Sequence, residues 1–356
     1  MFQYTADNHF KFGYDKTWFT DRTSEKNKWS VEYGRCNRTV QSFRLECISA
    51  ASRIYDQREG LSVDVLFSGG SDSEIVLRSF KELKVPIKVH IMRYDNYVNA
   101  HDWSYAYVIC QSLNIKPIFH DLDLIDFWES GKCMEYADLS KCVSPQLLPH
   151  MWLMDKVDGL PVMGSGELYT ARLDINSKRK FQFTEKNYST LVPWVLYERE
   201  KIASWYRFPI KRGRPAVPGF LQYSPELMVS FLDDEVSRKL HSNKSIGKLS
   251  NKSSKFNIYK SHWPELVDKK KWSGFETVLN HDRPMRQKLR SLYGDHEFEY
   301  WSEVDQLFKY MTHESENMGE NFSPNITNPG MWGIKIEDIQ KDTGNYLTNQ
   351  SMKAGP

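Results

Sequence analysis

One short stretch, residues 63–79, limits most strongly what this chain can fold into. It begins with an apolar run, passes through two glycines among hydroxyl and acidic residues, and ends with helical spacing. Glycine permits positive φ and close approach to the backbone, and the first turn of a helix presents unpaired N–H groups and a positive dipole end. The stretch therefore predicts a buried strand, a tight turn and a helix, with Ser71 or Asp72 as the helix cap and an anion site, best suited to phosphate, in the turn.

The turn also carries a family resemblance through the residues Ser68, Gly69, Gly70, Ser71, Asp72 and Ser73. This hexamer resembles the SGGxDS loop of the PP-loop ATP pyrophosphatase superfamily, and the chain is nearest to the synthetase domain of asparagine synthetases. Those enzymes split ATP between its α and β phosphates, hold pyrophosphate in the loop and transfer AMP to a substrate oxygen. The resemblance implies that all six residues bind ATP and that Asp72 is both catalytic and a Mg²⁺ ligand.

Strand and helix patterns alternate after this stretch. Apolar runs at 87–92, 116–120 and 160–163 are separated by helical patterns at 99–113 and 144–157, the first of them capped by Asn99. This alternation is typical of an α/β fold with a doubly wound parallel sheet, where ligands bind at the carboxyl ends of strands. The resemblance implies an adenine nucleotide alpha hydrolase-like (HUP) fold with a mostly helical C-terminal extension.

A second glycine-rich loop follows the fourth predicted strand. Its residues Gly164, Ser165, Gly166 and Glu167 resemble the acidic glycine-rich loop of asparagine synthetases, although Leu168 stands where that family has a second acid. The resemblance implies that the first three residues line the nucleotide and that Glu167 joins Asp72 on Mg²⁺. Such oxygen ligands suit Mg²⁺ on phosphates.

Other site residues are predicted more generally. In related folds the end of the second strand meets adenine, which points to Ile91, Met92 and Arg93. Positive charge near a triphosphate neutralises the charge that develops at phosphorus. The catalytic candidates for that role are Lys211, Lys255 and Lys271.

Composition predicts four regions. Residues 1–60 form a small aromatic and polar segment with a helix at 42–56, and 61–180 form the PP-loop domain. Residues 181–312 form a basic, mostly helical substrate-side region with a basic loop at 207–220 and a helix start at Ser224, and 313–356 form an irregular arm. The strongly basic part, 238–290, admits three interpretations: a solvated surface, lysines that reach the site, or a nucleic-acid contact.

Several function classes are disfavoured. The net charge is +2, no apolar run approaches the roughly 20 residues of a membrane span, and no signal peptide is visible. The five cysteines include no Cys-x-x-Cys pair, which favours reduced thiols in a cytoplasmic protein and disfavours thiolating and zinc-binding relatives. Phe2 stands where glutamine-dependent relatives have a nucleophilic cysteine, so no built-in glutaminase is expected.

These observations leave three hypotheses. The first is an ATP-dependent ligase that adenylates a carboxylate for attack by an amine or by ammonia, which a separate glutaminase could supply. The alternative is an enzyme that modifies a base in tRNA or another nucleic acid through an adenylated intermediate. The third is a nucleotide-binding protein without catalytic activity.

Overall fold

The structure is a computed structural model. It describes residues 11–15, 17–21, 23–24, 27, 29–32, 36–165, 199–232, 234–236, 251–268 and 274–293. Three of the predicted site residues, Gly166, Glu167 and Lys271, lie outside these ranges, and so does the predicted arm at 313–356.

The described strands and helices follow the alternation that the sequence predicts over its central part. The strands are β1 (Lys11–Tyr14), β2 (Thr17–Trp18), β3 (Trp29–Glu32), β4 (Val63–Leu66), β5 (Ile87–Tyr94), β6 (Ile118–Leu122) and β7 (Leu160–Met163). The helices are α1 (Phe43–Asp56), α2 (Ser71–Glu82), α3 (Ala100–Ser112), α4 (Leu124–Glu129), α5 (Cys133–Ser140), α6 (Leu148–Lys156), α7 (Arg199–Arg212), α8 (Pro225–Leu232), α9 (Asn251–His262) and α10 (Leu279–Tyr293).

Four of these strands form a parallel sheet in the order β6-β5-β4-β7. Val65 of β4 pairs with Val89 of β5 on one side and with Val162 of β7 on the other. The strand order therefore reverses at β4, since β5 and β6 lie on one side of it and β7 returns to the other. The fold is α/β with a four-stranded parallel sheet, and it is compatible with a Rossmann-like arrangement.

The two faces of this sheet contribute to different apolar clusters. Val63, Val65 and Phe67 belong to one cluster together with residues of α1, α2, α3, α8 and α9. Leu66 and Met163 belong to the other, with residues of α4, α5, α6, α7 and α10. Because alternate residues of a strand point to opposite faces, helices cover both sides of the sheet.

Some predicted boundaries are wrong, and two helices were not predicted at all. The pattern at 144–157 becomes a helix only from Leu148, while α4 and α5 fill a stretch with no predicted element. The first half of the predicted basic loop is helical, because α7 continues to Arg212 with Pro209 inside it. Tyr206 and Phe208 are almost fully buried there, so apolar packing outweighs the local cost of proline. In the described parts of the chain, no helix has the length and apolar character needed to cross a membrane.

Helix starts follow the sequence in part. Ser224 caps α8 as predicted, since its Oγ accepts the Leu227 N–H at 3.2 Å. Neither Ser71 nor Asp72 caps α2. Gly70 occupies the N-cap position, and no side chain makes a capping bond at this end of the helix. Asn99 occupies the N-cap position of α3, but its side chain instead binds the backbone at the end of β5.

Candidate functional site

The first loop, residues 68–73, joins β4 to α2 at the point where the strand order reverses. Gly69 has φ +74°, and a Cβ at this position would lie 2.5 Å from the carbonyl oxygen of Asp102 in α3. A larger residue is excluded both by the left-handed backbone and by this contact. The glycine therefore lets the loop pass directly against the first turn of α3.

Hydroxyl groups organise the inside of the first loop. Ser68 Oγ and Ser73 Oγ are 3.2 Å apart, and the Ser73 hydroxyl donates to the Gly70 carbonyl at 3.0 Å. The hydrogen bonds of α2 begin with Glu74 N–H to Gly70 O at 2.9 Å, so the amides before Glu74 lie outside the helical series. Hydroxyl groups and the N-terminus of a helix therefore lie together at one turn, and such an arrangement binds phosphate in other proteins.

The second loop follows β7, and its described residues are Gly164 and Ser165. A Cβ at Gly164 would lie 2.6 Å from the Cα of Ser73, so the two loops touch through backbone alone. The Ser165 hydroxyl donates to the Pro218 carbonyl, and Leu221 N–H donates to the Ser165 carbonyl at 3.2 Å. The stretch before α8 thus holds the second loop against the first.

The two loops form a rim at the carboxyl end of β4, and α9, a helix distant in sequence, also contributes to it. Lys255 Nζ in α9 lies 2.8 Å from Asp72 Oδ2, although 183 residues separate the two in sequence. The side chains are only 16% and 25% exposed respectively, so the pair is largely shielded from water. Of the three lysines predicted as catalytic, Lys255 is brought to the loop.

Tyr259 shares Asp72 with Lys255, and sequence reasoning did not identify it as a site residue. Its hydroxyl donates to Asp72 Oδ1 at 2.6 Å. The Tyr259 ring is fully buried and stacks on Phe43 with a centroid distance of 5.7 Å. Residues four apart lie on one face of a helix, so the spacing of Lys255 and Tyr259 could have suggested a joint role.

Other predicted residues have different surroundings. Lys211, in the last turn of α7, forms an exposed ion pair with Asp21 at 2.6 Å rather than with Asp72. Arg93 makes two bonds to Asp121, at 2.6 and 2.7 Å, and its guanidinium lies 4.5 Å from the ring centre of Phe119.

The residues predicted to form an adenine wall divide between the faces of the sheet. The Ile91 side chain is 1% exposed in the first apolar cluster, which leaves its backbone as the part able to meet a ligand. Met92 packs instead against the second cluster.

The backbone is strained just beyond the end of β5. Asn96 and Tyr97 are consecutive non-glycine residues with φ +56° and +58°, and Tyr97 is 66% exposed. Left-handed backbone costs such residues roughly 1–2 kcal/mol each. This turn lies at the same edge of the sheet as the first loop.

A second polar cluster lies inside the sheet and was not predicted. Asp64 on β4 is fully buried and accepts bonds from Ser62 Oγ at 2.8 Å and Gly159 N–H at 3.0 Å. His90 Nε2 lies 3.4 Å from the same carboxylate, and His90 Nδ1 lies 2.9 Å from His120 Nε2. An acid and two imidazoles thus form a chain across β4, β5 and β6.

The pKa values of this cluster follow from its contacts. Burial alone would raise the pKa of the Asp64 carboxyl, but the nearby His90 imidazole and the bonds from Ser62 and the Gly159 amide outweigh it and hold that pKa below its usual value. Burial, followed by the neighbouring His90, lowers the pKa of the His120 imidazole. The cluster therefore favours a charged acid and a neutral outer histidine.

Asp72 provides the kind of ligand that Mg²⁺ takes on nucleotide phosphates. Such ions use one or two carboxylates and complete their coordination with phosphate oxygens and water. Within the described residues no group of three or more histidine, cysteine or acidic side chains converges as a metal site. A single carboxylate beside a loop suited to phosphate fits a Mg²⁺ ion that is already bound to the phosphates of a nucleotide.

Comparison with models of known protein families gives no match, and comparison with curated proteins gives none either.

Proposed function

We propose that this protein is an ATP-dependent adenylating ligase of the PP-loop type that forms AMP and pyrophosphate. The observation that carries the proposal is the contact between the Lys255 ammonium and Asp72 of the Ser-Gly-Gly-Ser-Asp-Ser loop, at the reversal of the sheet. We also propose the doubly wound adenine nucleotide alpha hydrolase-like form of the fold, with the helices after β7 as its C-terminal extension. Helices on both faces of the sheet support that assignment.

The first loop binds the β and γ phosphates of ATP in this proposal. The hydroxyl of Ser68 and the amides at the start of α2 provide donors, and Ser73 holds the turn in shape through its bond to the Gly70 carbonyl, while Gly69 and Gly164 leave room for close approach. Asp72, together with Glu167 of the second loop, would hold Mg²⁺, which neutralises the phosphates and the leaving pyrophosphate when bound. Adenine meets the backbone at the end of β5.

The reaction joins a carboxylate to the α phosphate. A substrate carboxylate oxygen attacks the α phosphorus, the bond from that phosphorus to the bridging oxygen breaks, and pyrophosphate leaves with that oxygen. An amine or ammonia then attacks the acyl carbon and displaces AMP. The chain's own contribution is positioning by the two loops and charge neutralisation by Lys255.

Labelled ATP tests the proposal directly. ATP labelled at the α phosphate is incubated with Mg²⁺, ammonium and pooled small carboxylates and amines, and the products are separated. We expect AMP and pyrophosphate with wild type, and a loss of about 100-fold in Asp72→Asn and Lys255→Met, as for removal of one charge-stabilising group. ADP and phosphate as products would contradict adenylation.

A control for Asp72→Asn is available in α4, on the side of the sheet that the second apolar cluster covers. Asp126 in α4 forms an exposed ion pair with Lys132, so Asp126→Asn removes an equivalent acid outside the rim. We expect this variant to keep the wild-type rate.

Basic residues on α10 support a second candidate function. Arg283, Lys288 and Arg290 of α10 are all exposed, which favours contact with the phosphates of a nucleic acid. The acceptor in that case is a base in tRNA or another nucleic acid. The labelled-ATP assay distinguishes the two functions if total tRNA, rather than small carboxylates, triggers AMP formation.

A further inference from the structure

Both oxygens of the Asp72 carboxylate already have protein partners. Oδ2 meets the Lys255 ammonium at 2.8 Å, and Oδ1 accepts the Tyr259 hydroxyl at 2.6 Å. A carboxylate attracts one neighbouring cation strongly, but two cations on the same carboxylate repel each other. A divalent ion that approaches Asp72 therefore competes with the ammonium that is there.

The neighbouring acid of the first turn does not relieve this competition. Glu74 is buried and its carboxylate binds Arg78 at 2.7 Å, one turn further along α2. That ion pair occupies Glu74 on its own helix. Among the described residues, the ion pair that a metal–nucleotide complex would meet at Asp72 is therefore the one with Lys255.

We propose that Lys255 closes the site at rest and changes partners when the metal–nucleotide complex binds. The ammonium moves from Asp72 to a phosphate oxygen, and the carboxylate becomes a ligand of the incoming cation. Tyr259 is a positioning residue that keeps the carboxylate in place during this exchange. The inference rests on the proposed function, since it requires a nucleotide as the new partner of Lys255.

Lys255 and Tyr259 differ in the freedom that such an exchange needs. Lysine carries its charge on a flexible four-carbon stem with rotatable donors. The Tyr259 ring is fully buried, stacked on Phe43 and in contact with Phe231 at a centroid distance of 5.8 Å. The mobile group is therefore the lysine, and the tyrosine hydroxyl is the fixed point.

The proposal predicts that Lys255→Met changes two affinities in opposite directions, that for a free divalent cation and that for the metal–nucleotide complex. Lys255→Met removes the competing charge, so a divalent cation binds Asp72 more tightly when no nucleotide is present. The same variant binds the metal–nucleotide complex more weakly, because the phosphate loses its ammonium. A lysine that only supports the packing of α9 would not give this reversal.

The experiment titrates Mn²⁺ into the nucleotide-free full chain and follows free Mn²⁺ by electron paramagnetic resonance. We expect Lys255→Met to bind Mn²⁺ at least about fivefold more tightly than wild type, the size expected for relief of one shielded charge contact. Lys255→Met/Asp72→Asn should lose that gain. Unchanged or weaker Mn²⁺ binding in Lys255→Met would overturn the proposal.

Two further variants serve as controls. Lys260→Met changes an exposed lysine on the same helix, whose ammonium lies 5.8 Å from the ring centre of Phe256, and should bind Mn²⁺ as wild type does. Tyr259→Phe keeps the stacked ring and removes one hydrogen bond. In the Lys255→Met background it should weaken Mn²⁺ binding about fivefold, as expected for one lost bond, and an unchanged affinity would refute its positioning role.

A second titration separates this inference from the proposed function. Mg²⁺ and ATP are added together and nucleotide binding is measured by equilibrium dialysis. Weaker binding in Lys255→Met supports the exchange of partners. If wild type binds no ATP while Lys255→Met still gains Mn²⁺ affinity, the competition at Asp72 stands but both the proposed function and the exchange are refuted.

Discussion

Two acids in one strand–loop–helix unit have opposite surroundings. Asp64, within β4, is fully buried, and its partners Ser62, Gly159 and His90 lie in the sheet or directly beside its strands. Asp72, just beyond the end of that strand, is 25% exposed and is bound by a helix distant in sequence. The interior acid is surrounded by neighbours that the sheet itself positions, whereas the rim acid depends on another part of the chain.

This difference separates stability from function. A buried acid with fixed hydrogen bonds stabilises the fold only while every partner is present, and removal of one is costly. A rim acid opposite a flexible ammonium contributes less to stability, and its partner can move. In the exchange that we propose, an aspartate is therefore a fixed structural element within β4 and an exchangeable one beyond the end of that strand.

The largest expected difference comes from isosteric substitution of each acid. Asp64→Asn removes the buried charge beside His90 and leaves one oxygen where Ser62 Oγ and the Gly159 amide each have an acceptor, and we expect it to lower the free energy of unfolding by about 3 kcal/mol. Asp72→Asn keeps the bond from Tyr259, and the flexible Lys255 ammonium can turn toward water, so we expect a smaller loss of about 1.5 kcal/mol. Urea denaturation of both variants measures this contrast, and equal losses would contradict it.

A smaller effect is expected where the two loops touch. Gly164→Ala introduces a Cβ that would lie 2.6 Å from Ser73 Cα, so the loops must move apart. We expect a loss of about 2 kcal/mol, typical of overpacking, together with reduced AMP formation. The control is Gly131→Ala, whose Cβ meets nothing within 4 Å and whose φ is +79°. It should cost about 1 kcal/mol without affecting AMP formation, and an equal loss of activity in both variants would argue against the loop contact.

The smallest effect concerns the pH dependence of the interior cluster. The groups around His120 are His90, Asp121, Asp64 and Lys156. Because the folded pKa of His120 is lowered, the unfolded chain binds more protons below the ordinary value of about 6.5, and stability falls as the pH decreases through that window.

His120→Gln should remove this part of the pH dependence, as measured by urea denaturation between pH 7.5 and 5.5. The stabilising contribution of Asp64 does not interfere, since a lowered acid pKa gives stability that is lost only as the pH falls below about 3.8 toward the folded value. Identical slopes in wild type and variant would show that His120 is not responsible.

The sequence predicts the central sheet well because its strands are short apolar runs bounded by turn residues. It fails where tertiary packing decides the structure, as for Pro209 inside α7 and for the two short helices before Leu148. It also fails for the cap of α2, because Gly70 is the N-cap residue and Asp72, in the first turn of the helix, is bound by α9. Helix and cap predictions use only residues that are close in sequence, whereas these three features depend on contacts with distant parts of the chain.

The site was predictable in part for the same reason. Residues 68–73 form a contiguous motif, and Lys255 could be named only as one of three lysines. Its choice over Lys211 depends on the docking of α9 against α2, a contact that no spacing in the sequence reveals. The interior chain of Asp64, His90 and His120 was missed because each is a single polar residue within or beside an apolar run, and only strand pairing brings them together.

The separation of 183 residues between Asp72 and Lys255 has a consequence for how the protein is made. At a synthesis rate of about 5–20 residues per second, Lys255 leaves the ribosome about 10–40 seconds after Asp72. All four strands of the parallel sheet are complete well before then, so the sheet and its interior acid cluster can form first. The nascent chain thus acquires its architecture early and its rim ion pair late, and every finished molecule passes through a stage in which the loop exists without its lysine.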